Sequence, residues 1–228
     1  MKERFSDILL KLIFPPKCIF CGKLLDLKAS LSICGDCYKK IEFFREGKAE
    51  WTSRNKIIGG WCDKTVYACK YNGIIKYSIV KYKFFNRVHH FNTYASLLEE
   101  RLKNLPEIDK IDMIISVPIH RKRMRIRGYN QSYLISRELS KKMKIPERSE
   151  LLVRIKHSDN QSHIAGNMRF SNIYGAFKVT IPDAVKGKRI LLIDDVLTTG
   201  STVNECARVL KEAGAEYVIA AAVASGRK

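Results

Sequence analysis

Apolar and polar positions along the chain follow two periods, and their order predicts an architecture. The run Ile190-Leu191-Leu192-Ile193 is apolar throughout, as expected for a strand covered on both faces of a parallel sheet. Beyond a short polar stretch, Val203, Cys206, Ala207 and Leu210 recur at helical spacing and predict a helix. The same reading gives a helical stretch over 94–102, a strand over 113–117, a helix over 131–143 with Ile135, Leu139 and Met143 on one face, and a strand near 151–155. A central strand over 189–193 and a terminal strand over 217–223 complete the pattern. Residues 65–71 alternate with period two and read as a half-buried strand. Strands alternating with helices build an α/β fold around a parallel sheet, in which ligands bind beyond the carboxyl ends of the strands. The polar, turn-rich stretch 47–60, ending in Gly59-Gly60, predicts a hinge that divides the chain into 1–58 and 59–228.

At 228 residues and 46% hydrophobic content, the chain can form one ordinary domain with a small appendage. The longest apolar stretch near the N-terminus, 8–14, is broken by Lys11 and preceded by Asp7, too short for a membrane span and ill-suited to a signal peptide. The expectation is a cytoplasmic protein, in which seven cysteines serve as metal ligands, packing or reactive groups instead of a disulfide framework. The formal charge of +19 exceeds the needs of one small anionic substrate, and residues 61–150 concentrate it, with 19 basic against 9 acidic side chains. Nucleic acid is the polyanion such a field would attract; a solvated basic surface is the plainer reading.

Cys18-Ile19-Phe20-Cys21 and Cys34-Gly35-Asp36-Cys37 form two C-x2-C knuckles separated by twelve residues. Two matched pairs at this spacing supply four thiolates to one tetrahedral zinc, and a closed shell makes that zinc structural. Gly22 and Gly35 are expected to permit the tight turns. Cys62 and Cys69 lack such companions; His89 and His90 are in principle available to a second site, but buried packing is the expected role of these cysteines and of Cys206.

The chemistry concentrates after the central strand, in Asp194-Asp195-Val196-Leu197-Thr198-Thr199-Gly200-Ser201-Thr202. The hydroxyl-rich turn opens a helix, whose free N–H groups and positive dipole end favour a phosphate, and Gly200 lets the backbone come close. Asp194 and Asp195 can accept hydrogen bonds from sugar hydroxyls, so the order suits a sugar phosphate. A simpler reading is a capping box, with Thr202 as cap and Glu205 reaching back. The stretch resembles the 5-phosphoribosyl-1-pyrophosphate (PRPP) motif of type I phosphoribosyltransferases. That resemblance implies an acidic pair holding the ribose 2′- and 3′-hydroxyls and a Thr/Gly turn holding the 5′-phosphate.

A second segment, Pro118-Ile119-His120 followed by Arg121-Lys122-Arg123-Met124-Arg125-Ile126-Arg127, follows strand 113–117 and reads as a basic loop suited to pyrophosphate or a nucleic-acid backbone. Val117-Pro118, Arg127-Gly128-Tyr129-Asn130-Gln131, Arg154, Gln161, Arg169, Asn172, Gly175, Phe177 and the Asp-Asp turn, with the cysteine knuckles in front, resemble the ComF family over essentially the whole chain. Tyr129 stands where that family usually shows phenylalanine, and a second ribbon is not evident. The resemblance implies a type I phosphoribosyltransferase-like parallel sheet flanked by helices, a small N-terminal zinc ribbon, and a role in DNA uptake during competence. It also implies PRPP as ligand through 118–121 and 194–202, magnesium bridging pyrophosphate and ribose hydroxyls, and Asp194, Asp195, Arg125 and Arg127 as catalytic residues if turnover occurs.

No dedicated general base emerges: His120, His157 and His163 are candidates by type only. Two functions from different classes follow. One is an enzyme transferring phosphoribose to a nucleobase or amine. The other is a binding protein that senses PRPP or grips single-stranded DNA, alongside other competence proteins, with Tyr77, Tyr82, Phe84 and Phe85 interleaved among Lys76, Lys81 and Lys83 as a stacking platform, although core packing explains those aromatics equally well.

Overall fold

A computed structural model describes residues 14–29, 31–44, 51–52, 60–85, 87–156 and 173–226. In chain order its main elements are β1 (Trp51–Thr52), β2 (Lys64–Lys70), α1 (Gly73–Phe84), α2 (His90–Leu102), β3 (Met113–Ser116), α3 (Arg121–Arg127), α4 (Gln131–Met143), β4 (Leu152–Arg154), β5 (Phe177–Val179), β6 (Arg189–Leu197), α5 (Ser201–Glu212) and β7 (Tyr217–Ser225). Five strands form one sheet in the order β1-β2-β7-β6-β3, parallel except for the short β1. Leu191 and Ile193 face a core shared with α1, α2 and α4, while Ile190 and Leu192 face a second core shared with α5. Burial on both faces explains the unbroken apolar run.

The strand predicted at 151–155 exists but pairs antiparallel with β5 in a separate two-stranded sheet. Strand β2, expected to be half-buried, is buried on both faces, because the segment after the cysteine knuckles lies against it: Phe44 N–H donates to the Ala68 carbonyl at 3.2 Å, and the Phe44 ring meets Tyr67 edge-on at 4.5 Å. Most of the predicted hinge lies outside the described residues; within it, Trp51 and Thr52 pair with Thr65 and Lys64 at the sheet edge.

Strand β6 runs past Ile193 to Leu197, so Asp194 and Asp195 sit within it and not in a turn after it. Strand β7 continues to Ser225 and supplies backbone partners, pairing Asp194 with Ala222 and Leu197 with Ser225. Truncating Leu191, which is fully buried at the sheet centre, is expected to cost about 2–5 kcal/mol in denaturant unfolding. Ile126→Ala, at an exposed site, is expected to stay within about 0.5 kcal/mol.

Candidate functional site

The site is built at the tip of β6. Side chains alternate along a strand, so neighbouring Asp194 and Asp195 leave it in different directions and find different partners. Ser132, at the start of α4, donates its hydroxyl to Asp194 Oδ1 at 2.9 Å, and the Asp195 N–H donates to the same oxygen at 2.9 Å. Asp195 Oδ1 lies 2.7 Å from Lys83 Nζ, an ion pair with little solvent access. Burial, and then the neighbouring Asp195 charge, push the Asp194 carboxyl well above the usual carboxylate range. Burial works against the Lys83 ammonium, but Asp195 outweighs it and holds Lys83 above its ordinary value.

Val196 and Leu197 continue the strand, and the hydroxyl-rich turn follows. Gly200 takes a left-handed conformation (φ 79°), open to glycine at low cost, and occupies the N-cap of the twelve-residue α5. Thr199 Oγ1 and Ser201 Oγ are 2.9 Å apart, Thr198 is exposed, and Thr202 lies in the first turn of the helix. The capping box does not form. Glu205 instead accepts from the Gly175 N–H at 2.6 Å and pairs with Arg208 at 2.6 Å, tying α5 to the segment before β5.

The basic segment is a helix, not a loop. His120 caps α3, its Nδ1 accepting from the Lys122 N–H at 3.2 Å, and Gly128 closes it at φ 78°. Arg121, Lys122 and Arg125 are exposed. Arg127 turns inward: it donates to Gln131 Oε1 at 3.1 Å, lies 4.9 Å from the Phe84 ring centroid, and feels the Asp195 charge against the lowering effect of burial. Of the two arginines singled out by sequence, Arg127 therefore faces the acidic tip. Pro118, Ile119, His120 and Arg121 line one side of a cleft of about 570 Å³ whose other side is Leu152, Val153, Arg154 and Ile155.

The stretch from Arg127 to Ser132 is a clamp between elements. Asn130 donates to the Val117 carbonyl at 3.1 Å and caps α4 by accepting from the Ser132 N–H, which sets Ser132 against Asp194. Tyr129 donates to the Tyr82 carbonyl, and the Tyr82 hydroxyl donates to the Gln131 carbonyl at 2.9 Å. Of the aromatics read either as a stacking platform or as core, Tyr82 is thus a fully buried core residue, whereas Tyr77, Phe84 and Phe85 are exposed. Sequence does not single out Ser132; it names Asn130 only within the family motif, without its capping role, and Lys83 only among the cations of the stacking platform, without its pairing to Asp195. His120 is committed to its cap, and His157, His163, Gln161, Arg169 and Asn172 lie outside the described residues.

At the other end of the chain, the sulfurs of Cys18, Cys21, Cys34 and Cys37 lie within 4.8 Å of one another, with Cys21 and Cys34 3.7 Å apart. Four thiolates at about 2.3 Å from a tetrahedral zinc would stand about 3.8 Å apart, so the residues fit that ion. Gly22 uses the left-handed region (φ 79°), but Gly35 simply opens a helical turn, Gly35–Tyr38. Cys62 and Cys69 lie in opposite cores of the sheet, and His90 is held by Ser78 at 3.2 Å.

Comparison with known proteins accords with this geometry. Residues 130–228 match the phosphoribosyl transferase domain model, and residues 9–49 match the double zinc ribbon domain. Competence protein F of Haemophilus influenzae is 29% identical over 193 residues, 83% of this chain and 82% of that protein. Competence protein ComFC of Streptococcus pneumoniae is 29% identical over 225 residues, 89% of this chain and 96% of that protein. Over most of its length, and in the order ribbon then transferase-like domain, the chain is similar to these competence proteins, as its likeness to the ComF family implies. DNA utilization protein YhgH of Escherichia coli O157:H7 is 38% identical over 107 residues, about half of either chain (47% and 46%). The double zinc ribbon match and the one four-sulfur cluster among the described residues support a structural zinc in this chain. The phosphoribosyl transferase match begins at Asn130, so α1 and α3, with Lys83 and the basic side chains, lie outside it.

Proposed function

We propose that this ComF-like protein binds PRPP with magnesium at the tip of β6 and serves in handling DNA taken up during competence. The observation that carries the reading is the succession, on one strand end, of two carboxylates and a hydroxyl turn that opens the N-terminus of α5. Asp194 and Asp195 accept from the ribose hydroxyls, and 198–202 hold the 5′-phosphate. Pro118–Arg121, with Arg127, face the pyrophosphate, and Arg125, exposed on α3, adds basic charge beside it. Magnesium arriving with the substrate would supply charge neutralisation at the pyrophosphate. If phosphoribose is transferred, these groups act by positioning and by electrostatic stabilisation of a leaving pyrophosphate. The ribbon, 1–58, precedes the ligand-binding domain, 59–228, in a cytoplasmic protein with other competence proteins as partners. Among the described residues no helix is long and apolar enough to cross a membrane.

Thermal melting tests the reading: PRPP with magnesium at about a hundred times its dissociation constant is expected to add roughly 2.7 kcal/mol to the native state. The absence of any shift would remove the assignment. Release of pyrophosphate, screened against bases, amines and single-stranded DNA, then identifies an acceptor.

A second reading has its own support. Lys81 lies 4.3 Å from the Tyr77 ring and Arg127 4.9 Å from that of Phe84, and with exposed Phe85, Met124 and Ile126 they present aromatic and basic groups together. Such a surface suits stacking and backbone contact with single-stranded DNA. Binding of a labelled oligothymidylate is expected to weaken steeply from 50 to 200 mM salt, to survive Asp194→Asn, and to fall in Phe84→Ala. Salt-insensitive binding would count against it.

A further inference from the structure

Lys83 lies on the face of α1 that carries Ile75, Ile79 and Tyr82 into the core, spaced four residues after Ile79. Its side chain retains 22% exposure and that of Asp195 9%, so the pair is drawn out of water. The next residues, Phe84 and Phe85, are exposed, and Arg127 stacks on Phe84. Lys83 is therefore directed inward while its neighbours remain at the rim. The consequence is chemical. Two adjacent carboxylates on one strand repel each other, and among the described residues Asp194 is hydrogen-bonded by a hydroxyl and a backbone N–H, neither of which carries charge. The cation in contact with the acidic tip comes from a helix that the phosphoribosyl transferase match does not include.

We propose that Lys83 is a positioning residue of the ligand site: its ammonium fixes Asp195 and offsets the charge of the acidic pair, so that two adjacent carboxylates can stand together at the tip of β6 where the ligand binds. The proposal rests on the PRPP reading above. A cation held this way serves the ligand through Asp195, and loss of one partner of a buried pair leaves the other uncompensated.

The test uses the full chain and compares Lys83→Met, Lys83→Arg, Asp195→Asn and the Lys83→Met, Asp195→Asn double variant by calorimetric titration with PRPP and magnesium. Zinc content and melting temperature without ligand report folding. Lys83→Met is expected to weaken binding roughly tenfold or more, and Lys83→Arg to keep it near wild type, since the charge is retained. The double variant is expected to bind no more weakly than Asp195→Asn alone, because Lys83 acts through Asp195. Wild-type binding with Lys83→Met unchanged or tighter overturns the proposal alone, as do an arginine variant as weak as the methionine one and losses that multiply in the double variant. A wild-type protein that fails to bind PRPP overturns the site reading, and the proposal with it.

Discussion

Cys34→Ser is expected to release the zinc and to unfold the N-terminal ribbon, an effect larger than that of any single core truncation. The cluster formed by Cys18, Cys34 and Cys37 is lined by only a few partly buried apolar side chains, among them Phe20, Leu25 and Ile33. So little apolar surface cannot order the segment by itself. A four-thiolate zinc supplies about 10–16 kcal/mol of apparent binding free energy at neutral pH, which in such small units becomes folding free energy. Serine removes one thiolate and opens the shell. The loss is expected to spread to the larger domain, because Ile19 and Ile41 are buried in its core and Phe43 bridges to Cys69. Metal analysis, limited proteolysis and the melting temperature read the three consequences. Unchanged zinc content in Cys34→Ser would refute the four-thiolate site.

The second large effect is expected at the acidic pair, where ligand binding and stability should separate. The double variant Asp194→Asn, Asp195→Asn is expected to lose the PRPP-induced melting shift. Taken alone, Asp194→Asn should melt no lower than wild type at pH 8, and higher if burial of the charge dominates. Asparagine keeps an oxygen to accept from Ser132 and from the Asp195 N–H while removing a charge that burial disfavours. The direction of the pKa shift fixes the sign. A carboxyl raised on folding binds its proton more tightly in the native state, so its contribution favours folding at low pH and is lost as pH rises through the raised value. PRPP binding should run the other way, strengthening as Asp194 ionises. Melting curves with and without PRPP and magnesium across pH 5–8 check both. A strongly destabilised Asp194→Asn, or a ligand shift that survives the double substitution, would contradict the argument.

Legibility varied by element, for physical reasons. Helix α4 was read at its observed bounds because Ile135 and Leu139 repeat on one face over a long segment. Helix α1 was missed: apolar residues at 74, 75, 77, 79, 80, 82 and 84 alternate almost as a strand would, and period alone does not separate the two. Helix α3 has no buried residue at all, so no stripe marks it, and its ends are set by the His120 cap and the left-handed Gly128. The capping box failed because Glu205 found stronger partners in Arg208 and the Gly175 N–H, both set by tertiary packing.

From its residues alone, the chain determined the alternation of strands and helices, the four-cysteine zinc site, the acidic pair followed by a hydroxyl turn, and the likeness to the ComF family. Each is a local pattern, carried by spacing along the backbone. Tertiary structure alone decided that β6 extends through the aspartates, that Asp194 meets Ser132 and Asp195 meets Lys83, and that Arg127 turns in while Arg125 stays out. Those pairings join residues far apart in sequence, and the packing of α1 and α4 against one face of the sheet, not any local preference, brings them within contact distance.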